Sequence, residues 1–92
     1  KIMKVDFTKA KVEVTFGEYK EMDIAKAVGN AIHQNTSDIG VDETARNIYH
    51  SEGELEIPDE QISAIIYALS NASTILVSAK KAALNLLKLT QE

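Results

Sequence analysis

Ninety-two residues, 45% of them apolar, make one domain with enough apolar surface for a core, which excludes wholesale disorder. The chain has no cysteine, so disulfide scaffolds and thiolate metal sites are excluded, and no apolar run approaches the roughly 20 residues that span a bilayer. A net charge of −4 with a single Arg argues against nucleic-acid binding, which needs basic charge clustered on one face.

Residues 4–16 alternate. Val5 and Phe7 share one face, and Val12, Val14 and Phe16 share another. Period-two alternation with β-branched and aromatic residues predicts strands with one buried side. The expected arrangement is a two-stranded element over 4–16, turning at Thr8–Ala10 and ended by Gly17. Phe16-Gly17-Glu18-Tyr19 is the rival turn, because glycine at its first central position suits a type II′ turn.

Asp23 is the expected N-cap, and Ile24, Val28, Ala31 and Ile32 follow at helical spacing, predicting a helix over 23–34. Gly29 inside that pattern points to close packing of another backbone. Gln34–Asp38 is a polar loop. Asn35-Thr36-Ser37 matches a glycosylation acceptor pattern, but reads best as part of that loop. Asp42 is expected to cap a second helix over 42–51, with Val41, Ala45, Ile48 and Tyr49 on its apolar face and Gly53 as a left-handed stop.

Leu55 and Ile57 alternate with Glu54 and Glu56 as a short strand over 54–57, expected to pair with the N-terminal hairpin. Pro58 suits the first turn of a helix over 58–70, whose stripe is Ile62, Ile65, Ile66 and Leu69. Ser73 or Thr74 is expected to cap a last helix over 74–89. Leu76, Ala79, Ala83, Leu86 and Leu87 make one face of it. Ile75, Val77, Ala82, Leu84 and Leu89 widen that face well past a single stripe. A helix apolar on most sides must be covered on most sides, and a chain this short offers little to cover it. That predicts self-association through Leu76, Leu84, Leu87 and Leu89. Tyr49 and Tyr67 fall near apolar stripes and join the candidate interface, since tyrosine is enriched at protein contacts.

Nothing in the chain spells out catalysis or metal binding. His33 and His50 are the only imidazoles. With Asp38, Asp42 or Glu52 they could ligate a metal, yet they read as helix-end histidines favoured by the helix dipole. The pairs Glu54/Glu56 and Asp59/Glu60 lie on an exposed strand face and a helix start, not in the dry pocket that raises a carboxyl pKa for acid–base work. No nucleophile-elbow pattern occurs. The expectation is no enzyme, no cofactor and no metal.

Charge is uneven along the chain. Residues 1–20 carry +2, residues 21–61 carry −8 and residues 62–92 carry +2. The acidic middle reads as a solvated face that aids solubility. Its sharper reading is a docking surface for a basic partner: an acidic inhibitor or mimic that occupies a basic site on a host protein.

The order of features from Phe7 to Leu87 resembles a group of small phage and prophage accessory proteins. The matching pieces are Phe7–Gly17, Asp23–Ile32, the helix end Ala45-Arg46-Asn47-Ile48-Tyr49, the acidic strand Glu54–Ile57, the helix start Pro58–Ile62 and the aliphatic helix Leu76–Leu87. The resemblance implies a non-enzymatic accessory or structural role at the head–tail or tail-assembly stage. It also implies other phage structural proteins as partners, and a location in the bacterial cytoplasm or the virion. It carries no catalytic residue. The chain as a whole is expected to be a single α+β domain over 1–92: a small N-terminal β-hairpin and a short third strand packed with about four helices, with no nucleic-acid or membrane partner.

Overall fold

The computed structural model of the chain describes residues 2–89, the last of them by its backbone alone. Its class is α+β, as the sequence leads one to expect. Strand β1 (Ile2–Val5) is followed by a 3₁₀ turn (Phe7–Lys9), β2 (Ala10–Thr15), β3 (Glu18–Met22), helix α1 (Ala25–His33) and helix α2 (Ile39–Tyr49). Then come β4 (Leu55–Pro58), a second 3₁₀ turn (Asp59–Gln61), α3 (Ile62–Asn71) and α4 (Val77–Leu89).

Two separate antiparallel pairs form, β1 with β4 and β2 with β3. In the first, Met3 lies opposite Ile57 and Val5 opposite Leu55. These side chains face the core, while Lys4 meets Glu56 on the outer face. Pro58 pairs with Ile2 at the strand end, where a missing amide hydrogen costs least. Pro58 thus closes a strand rather than opening α3, which begins at Ile62.

The expected hairpin over 4–16 is displaced. Thr8–Ala10 is not a hairpin turn: Asp6 accepts from the Thr8 amide at 2.8 Å and from the Thr8 hydroxyl, and this folds Phe7–Lys9 into the 3₁₀ turn. The Asp6 carboxyl is thereby held below its usual pKa, chiefly by the Thr8 hydroxyl and against the opposing effect of burial, with the Thr8 amide and Lys9 adding to the lowering. The hairpin lies between β2 and β3 instead. Its turn residues are Phe16 and Gly17, and Gly17 adopts φ +86°, which glycine reaches at no steric cost. The turn thus forms one residue earlier than the rival reading places it: Thr15 pairs with Glu18, so Gly17 is the second central residue and not the first.

Phe7 is fully buried, a burial that contributes about 1.5–3 kcal/mol. Its carbonyl accepts from the Ile24 amide at 2.9 Å, tying the end of the hairpin to the first turn. Helix α1 is the hub, touching α2, α3, α4 and the Phe7 turn. Its predicted stripe of Ile24, Val28, Ala31 and Ile32 is buried throughout.

Helix α2 starts earlier than expected. Its N-cap is Asp38, accepting from the Gly40 amide at 2.8 Å and the Val41 amide at 3.2 Å; Asp42 sits inside the first turn. Gly53 is not left-handed. The helix ends instead with the Ser51 amide and hydroxyl both donating to the Ile48 carbonyl, at 3.1 and 2.7 Å. Neither Ser73 nor Thr74 opens α4. The Thr74 hydroxyl donates to Gln34 Oε1 at 2.7 Å, joining the α3–α4 connection to the end of α1. Lys80 of α4 donates to the Ala72 carbonyl at 2.6 Å, placing a cation at the negative end of α3.

Candidate functional site

Two surfaces stand out, and the fold builds them differently. The first is the outer side of the β2–β3 hairpin. Ala10 and Val12 turn inward and are buried, so β2 is anchored, packed by α4. The alternation then fails. The pairing slips between Glu13 and Thr15, and such a bulge bends a strand and re-aims its side chains. Val14 therefore emerges half exposed, although period-two spacing predicts it inside. Phe16, at the tip, is 95% exposed.

Every residue of β3 is exposed. The strand pairs along one edge with β2, and among the described residues no strand pairs with its other edge. Beside the tip, Val14, Thr15 and Phe16 face Val77, Ser78 and Lys81 of α4 across an open cleft of about 440 Å³. Leu76, just before that helix, is 77% exposed, and Val77 is also exposed. Isolated surface apolar residues are normal. Here Val14, Phe16 and Val77 line one cleft, an apolar grouping of the kind found at contact surfaces.

The candidate interface residues divide accordingly. Leu76 is open to solvent. Tyr67 is also exposed, on α3. Leu84 is half buried and packs against the core. Leu87 is a correction: it is 0% exposed, so the chain's own core covers it, and it is not a contact residue. The Leu89 side chain lies outside the described residues. Tyr49 is half buried, with its ring already engaged. The Lys26 amine sits 4.4 Å from the ring centroid, and the His50 ring meets it edge-on at 5.1 Å, both favourable geometries. The apolar girth of α4 is thus mostly absorbed within the chain, and what remains outside is its start.

The second surface is the α1–α2 cleft. Gly29 is its floor. A Cβ there would lie 2.8 Å from the Ala45 carbonyl oxygen and 2.8 Å from the Tyr49 Cβ, so the two helices cross at backbone contact. The cleft, about 190 Å³, is lined by Asn30, His33, Asp42, Arg46, Tyr49 and His50 around that floor. The His33 ring donates from Nδ1 to Asp42 Oδ1. Ser37 and Thr36 border the same pair from the loop side, and neither hydroxyl is hydrogen-bonded to the ring. Among the described residues, no three His, Asp or Glu side chains are placed to hold a metal ion. No described helix is long and apolar enough to cross a membrane.

Sequence reasoning named His33 and Asp42 together only as possible metal ligands and missed their direct pairing. They stand nine positions apart on different helices, so no local spacing signals it. It also missed β3 as an edge strand. Glu18-Tyr19-Lys20-Glu21-Met22 carries no apolar alternation, because neither of its faces is buried. Set against family models, curated proteins and solved structures, the chain matches none.

Proposed function

We propose that this chain is a non-enzymatic association protein that joins a second copy of itself through the β2–β3 hairpin. The observation that carries the reading is β3, a five-residue strand exposed at every position. A lone two-stranded hairpin is marginal in water, and an open strand edge is a template for another chain. The exposed Val14, Phe16, Leu76 and Val77 add apolar surface at the same end. The resemblance to small phage and prophage accessory proteins supports a structural role at head–tail or tail assembly, in the bacterial cytoplasm or the virion, with other phage structural proteins as further partners.

Light scattering on a size-exclusion column, over a range of concentrations and at low and high salt, tests this. A defined oligomer that persists in high salt is expected, since backbone pairing and apolar contacts are screened little. A monomer at every concentration refutes self-association.

One observation favours a second reading, the acidic mimic. Glu52, Glu54, Glu56, Asp59 and Glu60 are all exposed, and none is in an ion pair among the described residues. Binding of a basic host protein that collapses with salt would support it. Salt-insensitive binding would count against it.

A further inference from the structure

The open edge of β3 carries its own address. We infer that two copies pair β3 to β3 in antiparallel fashion with Tyr19 opposite Tyr19, forming one four-stranded sheet in the order β2-β3-β3-β2. This deepens, and rests on, the self-association reading above.

The argument starts from symmetry. Identical partners in a closed dimer are related by a two-fold axis, which for antiparallel strands in one sheet stands normal to the sheet. Residues directly opposite each other share a face, while neighbours along a strand point to opposite faces. A two-fold axis normal to the sheet keeps each residue on its own face. The axis must therefore pass where one residue meets its own copy, and β3 offers five such centres.

Charge eliminates four of them. Centred on Glu18, Lys20 or Glu21, the pairing sets like charges face to face, which destabilises a sheet. Centred on Met22, it sets Glu21 against Asp23 of the second copy and brings Lys20 onto Ile24, which is buried and cannot reach a partner. Centred on Tyr19, Glu18 meets Lys20 of the second copy, Lys20 meets Glu18, and the two tyrosines pair. Extended two residues beyond the strand, the same register sets Glu21 against Gly17 and brings Met22 toward Phe16 of the second copy, uniting two exposed apolar side chains.

The hairpin leaves these groups free for it. Within one chain Glu18 lies opposite Thr15, Lys20 opposite Val12 and Tyr19 opposite Glu13. Neither Glu18 nor Lys20 makes a side-chain hydrogen bond or ion pair among the described residues. Lysine on an edge strand ordinarily deters pairing. Here Lys20 deters the register centred on itself and stabilises the one centred on Tyr19. Pairing uses the β3 edge of both copies, so through this edge the assembly closes at two copies.

Because the chain has no cysteine, single-cysteine variants report the register directly. Opposed Cα atoms lie about 4.5–5.5 Å apart, within disulfide reach, whereas residues two positions out of register lie roughly 8 Å apart. Under mild oxidation Tyr19→Cys is expected to cross-link at least about tenfold faster than Lys20→Cys or Glu21→Cys. Without oxidation, Lys20→Glu is expected to weaken dimerisation about tenfold or more, since two favourable cross-strand pairs become two repulsive ones. Adding Glu18→Lys to that variant restores opposite charges in this register alone, and should recover the dimer. All four sites are exposed, and circular dichroism confirms that each variant folds. Cross-linking at 20 or 21 as fast as at 19, or a dimer indifferent to Lys20→Glu, overturns the register and leaves self-association standing. A wild-type monomer at every concentration overturns both.

Discussion

The α1–α2 crossing and the β2–β3 hairpin are both neighbouring elements joined by a short connection, yet one is closed and the other open. At the crossing, Gly29 lets two backbones touch, and Val28, Ile32, Val41, Ala45 and Ile48 seal beneath it. At the hairpin, Gly17 has nothing within 4 Å of its missing Cβ; it serves only the left-handed turn. β2 lends the core Ala10 and Val12, and β3 lends it nothing. Two glycines thus do opposite jobs, one admitting a neighbour and one turning the chain where there is none. In so small a domain the covered pair holds the fold, and the uncovered pair is available for contact.

The largest expected effect breaks this comparison if it is wrong. Ile48→Ala, at a position 0% exposed, should cost about 2–5 kcal/mol through lost burial and the cavity left behind. A domain of this length holds on the order of 5–14 kcal/mol in total. Phe16→Ala removes a larger side chain but should change the stability of the isolated chain by no more than about 0.5 kcal/mol. Urea unfolding of both variants at high dilution gives the contrast. If Phe16→Ala proves as costly as Ile48→Ala, the tip is part of the core.

A smaller effect sharpens the comparison within α1. Gly29→Ala forces a methyl against the Ala45 carbonyl and the backbone of Tyr49. Backbone yields less readily than a flexible side chain, so helix α2 must shift. The expected loss is about 1–3 kcal/mol by overpacking, against the small gain that alanine brings to an exposed helix interior. Thermal unfolding reads the sign. A stabilised Gly29→Ala would mean that the crossing is looser than its geometry.

Both regions were unequally legible in the sequence, for physical reasons. The buried stripes of α1, α2 and α3 follow from helical spacing, because each helix has one covered side. For α4 the same spacing could not decide which side is covered. Leu76 and Leu87 look alike in the sequence; position against β2 and the core exposes one and buries the other. The hairpin was misplaced because the alternation of Val5, Phe7, Val12 and Val14 runs across two different strand pairs. What divides them is the Asp6–Thr8 hydrogen bond, a local side-chain effect that leaves no periodicity. The Leu55/Ile57 strand was visible, and it pairs with the start of the expected 4–16 element, at Lys4 and Val5 of β1, rather than with the hairpin that forms between β2 and β3. Apolar spacing points to α4 as an interface, whereas the open edge belongs to the polar strand β3. Exposure on both faces erases the pattern by which strands are recognised.

The smallest effect probes the joint between the two regions. The Asp6–Thr8 turn hands the chain from β1 to β2 and carries Phe7, whose carbonyl holds the Ile24 amide at 2.9 Å. Thr8→Ala removes the hydroxyl donor and keeps the amide donor, so the expected cost is about 0.5–1 kcal/mol. Its pH dependence identifies the cause. The folded-state pKa of Asp6 lies below the ordinary value of 3.8, with the Thr8 hydroxyl as the leading reason. A carboxyl depressed on folding stabilises the native state above its unfolded pKa, and that contribution is lost as pH falls through the folded value. The gap between wild type and Thr8→Ala should therefore be full at neutral pH and close as the solution is acidified below 3.8. Urea midpoints along that range measure it. A gap that stays constant would assign the cost of Thr8→Ala to lost packing at the turn rather than to the charged hydrogen bond.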